Sequence, residues 1–104
     1  MVVTTKRKKL EILVDMPLLR RIRLIAEEID ITGYTLYPTI GGDGNQGRWQ
    51  DDQVTGGAGS KVMFSTIVDE QTAGALLNEL TPLLDTYGII VTISNVEVIR
   101  GERF

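Results

Sequence analysis

The sequence predicts an α+β domain in which a four-stranded antiparallel sheet carries two helices on one face. Three observations predict it. Four segments read as strands, with apolar side chains at the spacing of two that a strand requires. Two apolar stripes at helical spacing follow the first and third of them. Between the second and third strands lies Thr39 to Ser60, which holds seven of the eleven glycines. A connection of that length inside a compact domain is either functional or disordered.

The 104 residues make one domain, spanning residues 1–104, large enough to bury a real core but not a large one. Met1 to Lys9 is polar and ends in Lys6, Arg7, Lys8 and Lys9. It reads as a solvated, frayed segment, or as a surface for an acidic or phosphate-bearing partner. Lys9 to Val14 is the first strand, with Leu10, Ile12 and Val14 on its buried side. Asp15 or Met16 caps a helix that Pro17 opens, since a first-turn N–H has no intrahelical partner to lose. Leu18, Leu19, Ile22, Ile25, Ala26 and Ile29 form its stripe. Arg20, Arg21 and Arg23 lie off the stripe, and Glu27 is spaced to pair weakly with Arg23.

Thr32-Gly33 turns the chain into a second strand, Tyr34 to Ile40, where Pro38 interrupts pairing on one side. The glycine-rich stretch follows. Because glycine accepts positive φ, such a run lets backbone N–H groups converge on an anion. Lys61 to Val68 is the third strand. Asp69 caps the second helix, whose stripe is Ala73, Leu76, Leu77 and Leu80. Pro82 is expected to break or kink it, and Tyr87-Gly88 to end it. Ile89 to Ile99 is the fourth strand, apolar on both sides as if both faces were covered. The order β-α-β, loop, β-α-β is the ferredoxin-like βαββαβ arrangement. Its uncovered sheet face is expected to meet another copy.

Composition narrows the chemistry. The net charge of −3 argues against general nucleic-acid affinity. Without cysteine or histidine there is no thiolate, and the commonest general base and transition-metal ligand are missing. No apolar run is long enough to span a membrane and no signal peptide is expected, so the expected location is the cytoplasm. Catalysis would fall to carboxylates, lysine or hydroxyls. Asp51-Asp52 could hold Mg²⁺ beside a phosphate or stand simply solvated. Gly42 to Gly47 spells GxGxxG but opens no helix, so it is not a dinucleotide motif. Trp49 is either an aromatic anchor for a ligand or partner, or packing for its own loop. Arg100 and Arg103 suit phosphate or carboxylate oxygens; salt bridges to Glu97, Glu102 or a neighbouring subunit are the competing explanation.

Three phrases carry a resemblance: Gly33-Tyr34-Thr35, Gly41-Gly42-Asp43-Gly44, and Ile93-Ser94-Asn95-Val96-Glu97 with its Arg100 and Arg103-Phe104 tail. Over nearly its whole length the chain resembles the PII superfamily of trimeric signalling proteins. It looks closest to the PII-like proteins of inorganic-carbon uptake and of carboxysome gene clusters. Thr39 to Ser60 then occupies the place of the long T-loop between strands 2 and 3, and lacks a tyrosine at its tip. The segment before the last strand is shortened to Tyr87-Gly88-Ile89. These departures imply ADP or AMP with a small anion such as bicarbonate, rather than ATP with 2-oxoglutarate.

The resemblance implies a homotrimeric regulator, not an enzyme, that binds an adenine nucleotide between subunits and senses inorganic carbon and energy state. Thr35, Thr66, Gly88 and Ile89 would line adenine and ribose, and Arg100 and Arg103 would hold phosphates. Gly41, Gly42, Gly44 and Asn45 would present donors to the anion, with Arg48 or Lys61 adding charge. No tightly bound metal is implied. A transporter or carboxysome-related protein would read the T-loop. The alternatives are a nucleotide-independent trimeric interaction protein, like the copper-tolerance relatives of the fold, and a small ferredoxin-like enzyme.

Overall fold

The computed structural model describes residues 2–44, 47–50 and 60–104, and only the backbone of residues 47, 49 and 50. Its elements are β1 (Thr4–Asp15), a 3₁₀ turn (Met16–Leu18), α1 (Leu19–Glu28), β2 (Thr35–Pro38), β3 (Gly41–Gly44), β4 (Gly47–Gln50), β5 (Lys61–Val68), α2 (Glu70–Tyr87), β6 (Ile90–Ile99) and a closing 3₁₀ turn (Gly101–Arg103). Four strands form one antiparallel sheet in the order β2-β5-β1-β6, the ferredoxin-like arrangement, and β3 and β4 form a separate two-stranded sheet.

Register explains the layering. Leu10, Ile12 and Val14 of β1 stand opposite Thr66, Phe64 and Val62 of β5. These residues are buried together with Ile22, Ile25 and Ala26 of α1 and Ala73, Leu76, Leu80 and Leu83 of α2. One sheet face is therefore the floor of the core and both helices are its roof. Phe64, the largest fully buried side chain among the described residues, stacks on Tyr34 with ring centroids 4.6 Å apart. Burying a side chain of that class stabilises the fold by about 1.5–3 kcal/mol. The opposite face, which carries Leu13, Met63, Ile67 and Ile90, meets no helix of the chain among the described residues.

Several expectations are corrected. The basic segment is not frayed: β1 begins at Thr4, and Thr4 to Lys9 pair with Ser94 to Ile99. The lysines fit because their partners are polar, with Lys8 Nζ donating to Asn95 Oδ1 at 2.6 Å and Lys6 opposite Glu97. Asp15 does not cap with its side chain, which takes an ion pair from Lys61 Nζ at 2.6 Å. Pro17 opens a 3₁₀ turn rather than the α-helix itself. Arg23 turns to Tyr34 instead of Glu27: Nε donates to the hydroxyl at 2.9 Å, and the guanidinium lies 5.9 Å from the ring centroid.

Pro82 does not break α2, which runs unbroken from Glu70 to Tyr87. The proline is exposed while Leu80 and Leu83 on either side are buried, so packing holds both halves in line. Thr81 Oγ1 also bonds back to the Leu77 carbonyl at 2.7 Å within the turn before the proline. Gly88 ends the helix at φ 61°, ψ 30°, a left-handed cap that glycine adopts without a Cβ penalty. Ile90, Ile93 and Ile99 of β6 are each at least half exposed in the single chain, so the expected burial on both faces is not provided by this chain alone.

Candidate functional site

The α1–β2 corner shapes one side of a cleft. α1 closes in a Schellman motif, with Ile31 N–H bonding to the Ala26 carbonyl at 2.8 Å and Asp30 N–H to Glu27 at 3.1 Å. Asp30 takes the left-handed position usual for glycine, at φ 63°. The corner is then tied to β5, because Thr66 Oγ1 donates to the Gly33 carbonyl at 2.7 Å. Asp30 to Thr35 thereby lie beside Ser65 to Asp69.

The closing 3₁₀ turn supplies the other side. After β6 the chain reverses at Arg100 and returns across β1, bringing Arg103 and Phe104 to the cleft that Lys9 also lines. Together these segments enclose a cleft of about 550 Å³, within the range of ligand sites. Hydroxyls, backbone groups, Lys9 and Arg103 line it beside the carboxylates of Asp30 and Asp69. The Asp69 carboxyl accepts the Thr72 N–H at 2.7 Å. Its pKa lies below the usual aspartate value chiefly because of that backbone bond, with the Thr72 side chain and the charge of Arg7 acting in the same direction.

Of the residues expected to hold a nucleotide, Thr35, Thr66 and Arg103 line this cleft. Thr66 is only 2 % exposed and its hydroxyl is committed to Gly33, so it shapes the wall. Arg100 is exposed but does not line the cleft, and among the described residues neither Arg100 nor Arg103 pairs with Glu97 or Glu102. Gly88 and Ile89 sit at the other end of the sheet, just before Ile90, which stands opposite Leu13. The Ile89 side chain is a core residue, 7 % exposed, leaving its backbone as the part a ligand could meet.

Of the expected anion-binding residues, Lys61 lies at that same far end. Lys61 stands opposite Asp15, which engages its ammonium. Gly41, Gly42 and Gly44 do not converge their N–H groups around a point. They belong to β3, which pairs with β4 and sets Asp43 opposite Arg48, and a strand's N–H groups alternate between its two sides. Arg48 is exposed. Asn45 and the Asp51-Asp52 pair lie outside the described residues. Among the described residues, no three carboxylates are grouped to hold a metal, and no helix is long and apolar enough to cross a membrane.

Sequence reading misses Arg7, whose side chain bonds to the Lys6, Gly101 and Phe104 carbonyls. The available signal is the alternation of β1, which extended backwards puts Thr5, Arg7 and Lys9 on one side.

The family model for nitrogen regulatory protein P-II matches residues 7–103. No curated protein matches the chain. Among solved structures, it is similar to CPII, a nitrogen regulatory PII-like protein of Thiomonas intermedia K12, bound to ADP, AMP and bicarbonate. That similarity has a TM-score of 0.92 at 21 % identity and covers 100 % of this chain and 98 % of that one. CPII bound to ADP, AMP and acetate aligns at TM-score 0.83 and 22 % identity, over 99 % and 98 % of the two chains. A protein of Thermus thermophilus described as PII-like and signalling aligns at TM-score 0.82 and 24 % identity, over 97 % of each chain. With a match that omits only residues 1–6 and 104, the chain belongs to the nitrogen regulatory protein P-II family.

Proposed function

We propose that this protein is a PII-like regulator that binds ADP or AMP in clefts between the subunits of a homotrimer, with bicarbonate at the base of its T-loop. The observation that carries the reading is the cleft of about 550 Å³ that joins Thr35 to Arg103. The division of the candidate residues supports the intersubunit part. Arg103 lies toward one end of β1, bonded through its turn to Arg7, and Thr66 near the middle, opposite Leu10, whereas Gly88, Ile89 and Lys61 lie toward the other end. A nucleotide touching both groups is most simply met by two chains, one offering each end. The ligands named for CPII, ADP and AMP with bicarbonate, support the choice of ligands.

On this reading the protein reports inorganic-carbon and energy status without turnover. It acts in the cytoplasm, and its partner, a transporter or carboxysome-related protein, reads the T-loop. Nucleotide at the cleft and anion at the loop base order adjoining backbone, so each favours the other by about 1–3 kcal/mol, reciprocally.

Calorimetry against ADP, AMP, ATP and cyclic AMP, each with and without bicarbonate, tests the proposal. Saturable binding of ADP or AMP that tightens with bicarbonate is expected. Absence of binding by all four nucleotides would leave a nucleotide-independent interaction protein.

A further inference from the structure

Arg103 reaches the cleft on a turn with little to hold it in place. β6 ends at Ile99, opposite Thr4. The chain then reverses at Arg100, whose φ of 63° and ψ of 58° are disfavoured for a residue with a side chain. The turn that follows is three residues long. Its own backbone bonds are Arg103 N–H to the Arg100 carbonyl at 3.0 Å and Phe104 N–H to Gly101 at 3.1 Å. A single 3₁₀ turn with such bonds does not persist without packing or side-chain support.

Both kinds of support come from β1. Gly101 lies against Thr5 so closely that a Cβ there would stand 2.4 Å from Thr5 Oγ1, so the turn lies flat on the strand. Two positions along, Arg7 donates from Nη2 to the Gly101 carbonyl at 3.0 Å and from Nε to the Phe104 carbonyl at 3.0 Å. Those carbonyls flank Arg103 in sequence. Nη1 is anchored on the Lys6 carbonyl at 2.9 Å. A planar guanidinium spans these acceptors with fixed geometry, which a lysine ammonium cannot reproduce. Arg7 does not itself line the cleft, whereas Lys9, two residues on, does.

We propose that Arg7 is a positioning residue for nucleotide binding, clamping the Gly101–Arg103 turn so that Arg103 is held at the cleft. The proposal rests on the nucleotide reading of that cleft. Arg7 acts through Arg103, so removing Arg103 makes Arg7 dispensable for affinity.

The test compares wild type, Arg7→Ala, Arg7→Lys, Arg103→Ala and the double variant Arg7→Ala/Arg103→Ala. ADP binding is followed by calorimetry and backbone amide exchange by NMR. Arg7→Ala is expected to weaken ADP about tenfold or more, Arg7→Lys to recover little of that loss, and the double variant to bind no worse than Arg103→Ala. Exchange at Arg103 and Phe104 is expected to quicken about tenfold, with the Leu10 and Phe64 amides unchanged.

Full affinity in Arg7→Lys would overturn the clamp in favour of a plain charge effect. Losses that multiply in the double variant, or unchanged exchange at Arg103 and Phe104, would overturn it too. If Arg7→Ala does not fold, Arg7→Lys and its double with Arg103→Ala carry the same comparison. A wild type that binds no adenine nucleotide would overturn the underlying reading, whereas a binding wild type with unaffected Arg7 variants would overturn only this inference.

Discussion

Asp30 and Arg100 are the described non-glycine residues at positive φ, both at 63°, and both stand at corners that turn the chain back onto the cleft. Each trades local backbone comfort for position. At Asp30 the Schellman geometry calls for a residue without a Cβ, so Asp30→Gly should stabilise the fold by about 0.5–1 kcal/mol. Denaturant titration checks this, and a loss of stability would mean that the Asp30 side chain holds the corner. The same corner shows how residue chemistry escapes sequence reading. Thr32-Gly33 announces a turn, but nothing local announces that Thr66, on a different strand, holds Gly33, or that Arg23 leaves Glu27 for Tyr34.

At the scale of elements, α2 combines a strong start with a flawed interior. Hydrogen bonds from Thr72 hold the folded pKa of Asp69 below its unfolded value. The stability this contributes is therefore full above about pH 4 and is lost as pH falls through the lowered folded value. Asp69→Asn keeps a capping oxygen but removes the charge, so its thermal midpoint should fall less than that of wild type between neutral and strongly acid pH. Parallel acid limbs would show that the carboxylate charge contributes nothing. Pro82 lacks the N–H an interior position should donate. Pro82→Ala should raise stability by about 1–3 kcal/mol, measured by thermal unfolding; an unchanged or lowered midpoint would show that packing around Leu80 and Leu83 depends on the proline.

Much of this level is legible in the sequence. β5 reads at its observed ends because Val62, Phe64, Thr66 and Val68 alternate cleanly, and α2 because Asp69 and Gly88 are its cap signals. β1 reads short because consecutive charges at Lys6 to Lys9 look solvated until Asn95 and Glu97 are set beside them. The β3–β4 hairpin is hidden because glycine carries no strand signal. Thr35 and Arg103, named from a resemblance, line the candidate cleft, whereas Arg7 bonds across more than ninety residues of sequence and has no local signature.

At the scale of the whole molecule, the chain measures 49 × 30 × 22 Å, and the β1–β6 ribbon runs past β5, with Thr4 to Arg7 paired to β6 beyond its end. A two-stranded ribbon is marginal alone, and the bare sheet face adds Leu13, Met63 and Ile90, the last 53 % exposed. A homotrimer with these faces turned inward would cover both. Light scattering should give three chains per particle at micromolar concentration. Ile90→Glu should shift it toward monomer and weaken ADP in parallel, because the cleft would lose its second wall. A monomeric wild type, or an Ile90→Glu monomer with full ADP affinity, would rule out an intersubunit site.

The connection between β2 and β5 is tied off at its root. Thr39 gives both its N–H and its hydroxyl to the Lys61 carbonyl, at 3.3 and 2.6 Å, and Met16 N–H holds the Ser60 carbonyl at 3.0 Å. These bonds join the entry and exit of the connection to each other and to the start of the first helical turn. With its two ends held together in this way, the connection can change in length at little cost to the scaffold. Doubling the insert's length would cost only about 0.6 kcal/mol of closure entropy. Length variation in residues 40–59 therefore weighs little against the fold that presents them.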